Sequence, residues 1–417
     1  MSVPHPSNQL VANLFRHEAG RMIATLTRML GFDRLELAED IVQDTMVQAL
    51  HSWPFQGIPE QPSAWLYRVA KNKALDVVRR ENLFRQISQE LSQEPEPEEA
   101  LVEPFFVEHE INDSQLRMLF ACCHPSLSLE MQLAICLKLL CGLSVREIAG
   151  AFLTAPDTIE KRLYRVREKI RSQGIRLEVP SGSSLAQRRA AGLKVVYLLF
   201  TEGYTSDHPD QLIRQDLCAE ALRLGLLLQD HPRTVSPEGY ALLALMCFQA
   251  ARFEARTDDS GSIILLPDQD RSRWNQDLIA RGLAYLHRSA EGQRLSEYHL
   301  EAAIARLHCQ APSYADTDWP QVLQYYDRLL TCKPSPVVAL NRAVALAQAA
   351  GPAAALAEVV SLSGLDRHPY YHAILGDLYQ QNGQPSPARR HYELAMQLTP
   401  STAEKALLSR KIGQLPG

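Results

Sequence analysis

The sequence predicts an all-α protein of several domains, on three observations. Apolar residues recur at three- and four-residue intervals over most of the chain. Few runs alternate with period two, and the best of them, Ser262 to Leu266, is short. The second half is rich in Ala and Leu, with Gly and Pro confined mostly to breaks. A chain of 417 residues has room for about two to four domains. No stretch reaches the ~20 continuous apolar residues of a membrane helix. Met1 to Leu10 lacks the charged start and apolar core of a signal peptide. A cytoplasmic protein with no membrane partner is expected.

The first domain is expected over residues 8–82. Within it, Ala38, Ile41, Val42, Thr45 and Ala49 form an apolar stripe at helical spacing. Asp40, Gln43, Asp44 and Gln48 fall on the opposite side. Asp40 and Asp44 are one turn apart and repel slightly, so this is either a solvated face or a docking face for a basic partner. After Pro62, Ser63 is a plausible N-cap. Leu66, Val69, Ala70, Lys73, Ala74, Val77 and Val78 give the next helix a mostly apolar face. Arg68, Lys71, Asn72, Arg79 and Arg80 give it a basic one, with Trp65 and Tyr67 near its start. Cations neutralise phosphates and aromatic planes stack on unpaired bases, so this surface suits single-stranded DNA. The alternative is an ordinary amphipathic helix with a buried Trp65.

The net charge of −5 hides two opposed stretches. Residues 86–113 carry nine acids and no Lys or Arg, and with Pro95, Pro97 and Pro104 they suggest a linker over 83–113. Residues 161–176 carry seven bases and one acid. They close a second expected domain, 114–176, whose residues 143–170 read as a helix-turn-helix. Val145, Ile148, Ala149 and Phe152 bury the first helix. Leu153 to Ala155 turns, and Pro156 suits the first turn of the second helix. Ile159, Leu163, Val166 and Ile170 bury that helix, leaving Asp157, Thr158, Glu160, Lys161, Arg162, Arg165 and Arg167 for DNA.

The two N-terminal helices and the helix-turn-helix together resemble the two conserved domains of extracytoplasmic-function σ factors. The resemblance implies that Asp40, Gln43, Asp44 and Gln48 dock on the β′ clamp helices of core RNA polymerase. It implies that Trp65, Arg68, Lys71, Asn72, Arg79 and Arg80 hold the melted −10 element, with the loop from His51 to Pro62 cradling a flipped base. The −35 element would be read as duplex by the 157–167 surface. Leu153 stands where the family often has Gly, and leucine disfavours positive φ, so another backbone path is expected there. The acidic linker suits channels built for nucleic acid, or is a plain tether.

Residues 183–417 form the remaining domain. Leu375, Gly376, Tyr379, Gly383, Ala388, Tyr392, Ala395 and Pro400 occupy the signature positions of a tetratricopeptide repeat, and a weaker copy lies over 337–360. Repeats near 336–400 cannot bury a core alone and must pack on residues 183–310. The whole arrangement is similar to a σ subgroup with such a C-terminal extension, and an intramolecular contact between it and the σ domains is expected. The run Asp268, Asp270, Arg271, Arg273, Trp274 is read as an ion-pair knot or a ligand site.

The eight cysteines are no disulfide framework. Cys122-Cys123-His124 lacks a second ligand pair at zinc-finger spacing, so packing is favoured over metal or redox chemistry. No phosphate-cradling loop, metal-ligand spacing or nucleophile elbow is found. Neither catalysis, a cofactor nor a metal is therefore expected. A one-component helix-turn-helix regulator with a helical-repeat sensor is the alternative. The outward acidic helix, far from the DNA reader, argues against it.

Overall fold

Hydrophobic stripes of period 3.6 can be buried only by packing helix on helix, and the fold is all-α. The structure, a computed structural model, describes residues 6–88, 108–152, 154–205, 213–258 and 262–416, with the backbone alone at 6–13, 15–17, 81–88 and 151. Among these residues the only β pairing is one isolated bridge, Thr257 to Ile263, at the run that alternates in sequence. The chain divides after Val195 into two compact units.

The first unit holds α1 (Pro6–Leu30), α2 (Leu35–Gln56), α3 (Pro62–Ser88), α4 (Glu108–Cys122), α5 (Leu129–Leu139), α6 (Val145–Ala151) and α7 (Pro156–Ser172). α8 (Ser183–Tyr204) begins within it. Met22 and Leu26 of α1, Leu66 of α3, Leu116 and Leu119 of α4 and Ile135 of α5 are all completely buried. α1 packs on α2, α3, α4 and α5, so the two expected N-terminal domains share contacts.

The acidic stretch is helical at both ends, which corrects the expectation of a tether over 83–113. α3 runs on through Ser88, and Glu108, Glu110 and Asp113 lie in the first turns of α4. Arg21 reaches Glu108 at 2.5 Å, and Arg28 reaches Glu110 at 2.6 Å and Asp113 at 2.9 Å. Carboxylates near a helix N-terminus also meet its positive dipole end. The other six acids, Glu90 to Glu103, lie outside the described residues.

The second unit continues with α9 (Gln215–Asp230), α10 (Pro237–Ala250), α11 (Gln276–Ser289), α12 (Glu297–Gln310) and α13 (Trp319–Cys332). It closes with α14 (Pro336–Ala350), α15 (Pro352–Ser361), α16 (Pro369–Gln381), α17 (Pro385–Leu398) and α18 (Thr402–Gly413). α10 is its hub. Every residue from Gly239 to Phe248 is buried, and α9, α11 and α12 surround it. A helix apolar on all sides is stable only in such a place. Lys333 ties two elements together, donating to Glu301 at 2.9 Å and to the Tyr197 hydroxyl at 3.1 Å, with Glu297 at 3.1 Å. The 268–274 run forms no ion-pair knot among the described residues. Arg271 lies 4.5 Å over the Trp274 ring and donates to the carbonyls of His308 and Ala311 at the end of α12.

α16 and α17 form a tight hairpin, crossing where Gly376 meets Tyr392. A methyl group at Gly376 would lie 2.4 Å from the Tyr392 ring. That ring is completely buried, and its hydroxyl is held 2.6 Å from Asp377 Oδ1 and 2.7 Å from Gln380 Oε1. The ring therefore has nowhere to go. Gly376→Ala should destabilise the second unit by about 1–3 kcal/mol, as overpacking does, seen as a lowered Tm in calorimetry. An unchanged Tm would show that the hairpin can spread at no cost.

Candidate nucleic-acid interface

α2 turns its apolar side inward because Leu35, Ala38, Ile41, Val42, Thr45, Met46, Ala49 and Trp53 are all buried. Asp40, Gln43, Asp44 and Gln48 are therefore all exposed along its outer side, with Val47 between them. Among the described residues no ion pair engages Asp40 or Asp44. Glu39 differs from its neighbour: it is buried, and Arg167 of α7 binds it at 2.8 Å. Sequence reading missed this acid. Its spacing of four from Leu35 was the available signal, since that puts it on the inward edge of the stripe.

α2 runs to Gln56 and stops at Gly57, so the expected loop from His51 to Pro62 shortens to residues 57–61. The Trp53 and Trp65 rings meet edge to face at 5.5 Å and join the end of α2 to the start of α3. Phe55, beside this joint, is 90% exposed, and Ile58 is exposed too. Phe55 was not singled out from sequence, because a lone Phe near a helix end carries no pattern. An exposed aromatic plane beside a short loop can stack on an unpaired base.

On α3, Arg68, Asn72, Arg79 and Arg80 are exposed, while Trp65 and Lys71 are half-buried. Asp76 sits 3.7 Å from Arg79 and accepts from Arg80 through its carbonyl. Tyr67 does not belong to the basic face, which corrects the sequence reading. Its hydroxyl donates to Glu18 of α1 at 3.0 Å. Burial first, and the Glu18 charge next, hold the phenol in its neutral form.

The helix-turn-helix is held by local chemistry. Ser144 and Glu147 form a capping box at the start of α6, with bonds of 2.8 and 3.2 Å. Pro156 occupies the first turn of α7. Ile159, Leu163, Val166 and Ile170 are buried. Leu153 lies outside the described residues. The expected DNA surface divides. Asp157, Thr158, Glu160, Lys161 and Arg165 are exposed, as is Tyr164. Arg162 and Arg167 are half-buried and already engaged. Arg162 bonds Glu130 at 2.7 Å and covers the Phe152 ring, while Arg167 holds Glu39. The outward surface of the expected span of α7 thus narrows to Asp157, Thr158, Glu160, Lys161, Tyr164 and Arg165, with Lys161 and Arg165 as its exposed cations. Among the described residues no His, Cys, Asp and Glu group is suited to hold a metal. None of their helices is long and apolar enough to cross a membrane.

An acidic outer face on α2 and a basic face on α3 are joined by the Trp53–Trp65 contact. Residues 14–83 match the family model of σ70 region 2, which supports a role in transcription initiation with core RNA polymerase and promoter DNA as partners. Residues 188–290 match a family of unknown function, DUF6596. The uncharacterized protein R00370 of Rhizobium meliloti (strain 1021) is 38% identical over 388 residues, 92% of this chain and 91% of that one. The chain belongs to the same family as that protein. No solved structure matches.

Proposed function

We propose that the chain is a promoter-specificity subunit of RNA polymerase, a σ factor of the extracytoplasmic-function type with a tetratricopeptide-like C-terminal extension. It acts in the cytoplasm, needs no cofactor and performs no covalent chemistry. The observation that carries the reading is the pairing of two unlike surfaces in one short span. α2 offers Asp40, Gln43, Asp44 and Gln48 to the basic side of a polymerase. α3 offers Trp65, Arg68, Lys71, Asn72, Arg79 and Arg80 to the melted −10 strand. α7 offers Thr158, Lys161 and Arg165 to the −35 duplex. The test is transcription by purified full-length protein with core polymerase on a promoter from its own genomic neighbourhood. No initiation there, by the full chain or by residues 1–181, would refute the reading.

Asp40→Lys and Asp44→Lys should each weaken capture of core polymerase severalfold and leave Tm unchanged, since neither carboxylate has an ion-pair partner among the described residues. Equal pull-down by wild type and both variants would remove α2 as the docking face.

Arg165→Ala should weaken promoter binding. A base-reading Arg165 gives a loss of about 1–3 kcal/mol confined to one position of the −35 element. A phosphate-bound one gives a similar loss on all sequences and a shallower salt slope. Binding unaltered in both respects would move DNA reading to another surface.

The extension controls the σ domains. Tethering puts the two halves at roughly millimolar effective concentration, so even a weak mutual affinity is populated. The sign we favour is an extension required for full activity. Truncation after Ser181 should change transcription severalfold, read on the same promoter. Wild-type output from the truncated chain would make the extension a passenger in initiation.

A further inference from the structure

The stretch from Gln269 to Trp274 in the second unit takes no part in the function proposed above, and it gathers cations that lack counter-ions. Arg252, just past the end of α10, and Arg271 both lie over the Trp274 ring, their guanidinium carbons 5.4 and 4.5 Å from its centre. Arg256 covers the Tyr204 ring at 4.0 Å. Among the described residues none of the three forms an ion pair. Their hydrogen bonds go to neutral acceptors instead. Arg252 Nε donates to Gln269 Oε1 at 3.1 Å, Arg256 to the Tyr204 carbonyl at 2.6 Å, and Arg271 to the carbonyls of His308 and Ala311. The acids nearby are engaged elsewhere. Asp270 is exposed and accepts from Ser272 at 2.7 Å, and Asp316 accepts from Ser313 at 2.7 Å.

Three unsatisfied polar atoms lie beside these cations. Arg271 Nη2, Trp274 Nε1 and His308 Nδ1 are buried with no hydrogen-bond partner, and Trp274 as a whole is 3% exposed. They are neighbours, because Arg271 touches both the Trp274 ring and the His308 carbonyl. Burial first, then the charges of Arg252 and Arg271, lower the His308 pKa to about 4, so the imidazole is neutral and can donate through Nδ1. Burial and then Arg252 also pull Arg271 down. Buried donors without partners are rare in native proteins. Water would satisfy them but leave the like charges of Arg252 and Arg271 unrelieved; an anion answers both.

The cations are also held in advance. Gln269 is buried, and its Nε2 donates to the Ile264 carbonyl at 3.1 Å, which fixes the oxygen that Arg252 binds. The Asn275 amide ties the end of the run to the Ala251 carbonyl at 2.9 Å. Groups fixed beforehand lose little freedom on binding. Arg252 and Arg271 are only half-buried, so solvent reaches them. We infer that Arg252, Arg271, the Trp274 indole N–H and His308 form a binding site for the phosphate or carboxylate group of a small molecule. The guanidinium fork matches either oxyanion. A purely structural role, with Arg271 capping the negative end of α12, accounts for its Nη1 but not for its Nη2, the Trp274 N–H or Arg252.

The test is isothermal titration calorimetry on the full-length protein, with inorganic phosphate in one arm and succinate in the other. Sodium chloride holds ionic strength constant in both. One equivalent of phosphate or succinate should bind with a Kd of about 1 mM or tighter. Saturation by phosphate alone identifies a phosphate ligand, by succinate alone a carboxylate, and by both a site for either. Arg252→Gln and Arg271→Gln should each weaken binding about tenfold or more, and Trp274→Phe about three- to tenfold. Arg273→Gln, an exposed neighbour in the same run, should stay within about twofold. Circular dichroism confirms folding. Should Arg271→Gln or Trp274→Phe fail to fold, Arg252→Gln against Arg273→Gln decides, since the polar contact of Arg252 is a side chain and not a helix end. A structural role alone predicts variants of lower Tm with no anion bound by wild type. That result, or saturable binding that Arg252→Gln and Arg271→Gln retain, would overturn the inference. Polymerase enters neither arm, so the proposed function stands or falls separately.

Discussion

α1 can lie on the backbone of Leu140 only because residue 20 has no side chain. Much of the first unit follows from that contact. With α1 so close to α5, Arg21 and Arg28 come within reach of the first turns of α4. The acidic stretch then ends in a helix, since its last carboxylates find both a guanidinium partner and a helix N-terminal dipole. The short turn Phe32–Arg34 after α1 packs on α7. That brings Arg167 over Glu39 and makes burial of a carboxylate tolerable.

The elements with strong local patterns were legible in the sequence. The stripe from Ala38 to Ala49, the burial of Ile159, Leu163, Val166 and Ile170, and the start of α7 at Pro156 all stand as their spacing predicts. So do the exposed residues between those stripes, because an outward position is fixed once the inward face is known. Long-range pairing was not legible. Glu39, Tyr67 and Arg162 each bond a residue 32 or more positions away. Nothing local separates such a side chain from a solvated one. The sequence shows that Arg162 and Arg167 lie on a basic helix; only the fold shows which carboxylates reach them.

The second unit illustrates the same limit in another form. Its hub, α10, carries no amphipathic signal because it is buried on every side. Lys333 and its partners Glu297, Glu301 and Tyr197 are scattered over more than a hundred residues. By contrast, the Gly376–Tyr392 crossing was readable, since small and large residues alternate there at a spacing set by two helices joined through a short turn. A helical hairpin closed by a short turn carries its crossing within one window of sequence. A hub is specified by everything around it, and no window of sequence contains that.

Charge ties these observations to how DNA would be read. With Arg162 and Arg167 held by carboxylates, the exposed cations on the early turns of α7 reduce to Lys161 and Arg165, and those of the α3 face to Arg68, Arg79 and Arg80. The affinity of a protein for duplex DNA grows with the number of phosphates it neutralises. Lys161 and Arg165, with Arg171 near the end of α7 paired to Glu168, are a weak anchor at physiological salt in a chain of net charge −5. A free-standing regulator needs more, because it must hold its site unaided. A subunit that meets DNA only after joining a larger machine does not, since the assembly supplies the remaining phosphate contacts. For such a subunit weak binding is an advantage: free protein does not occupy promoters, and recognition waits for the polymerase.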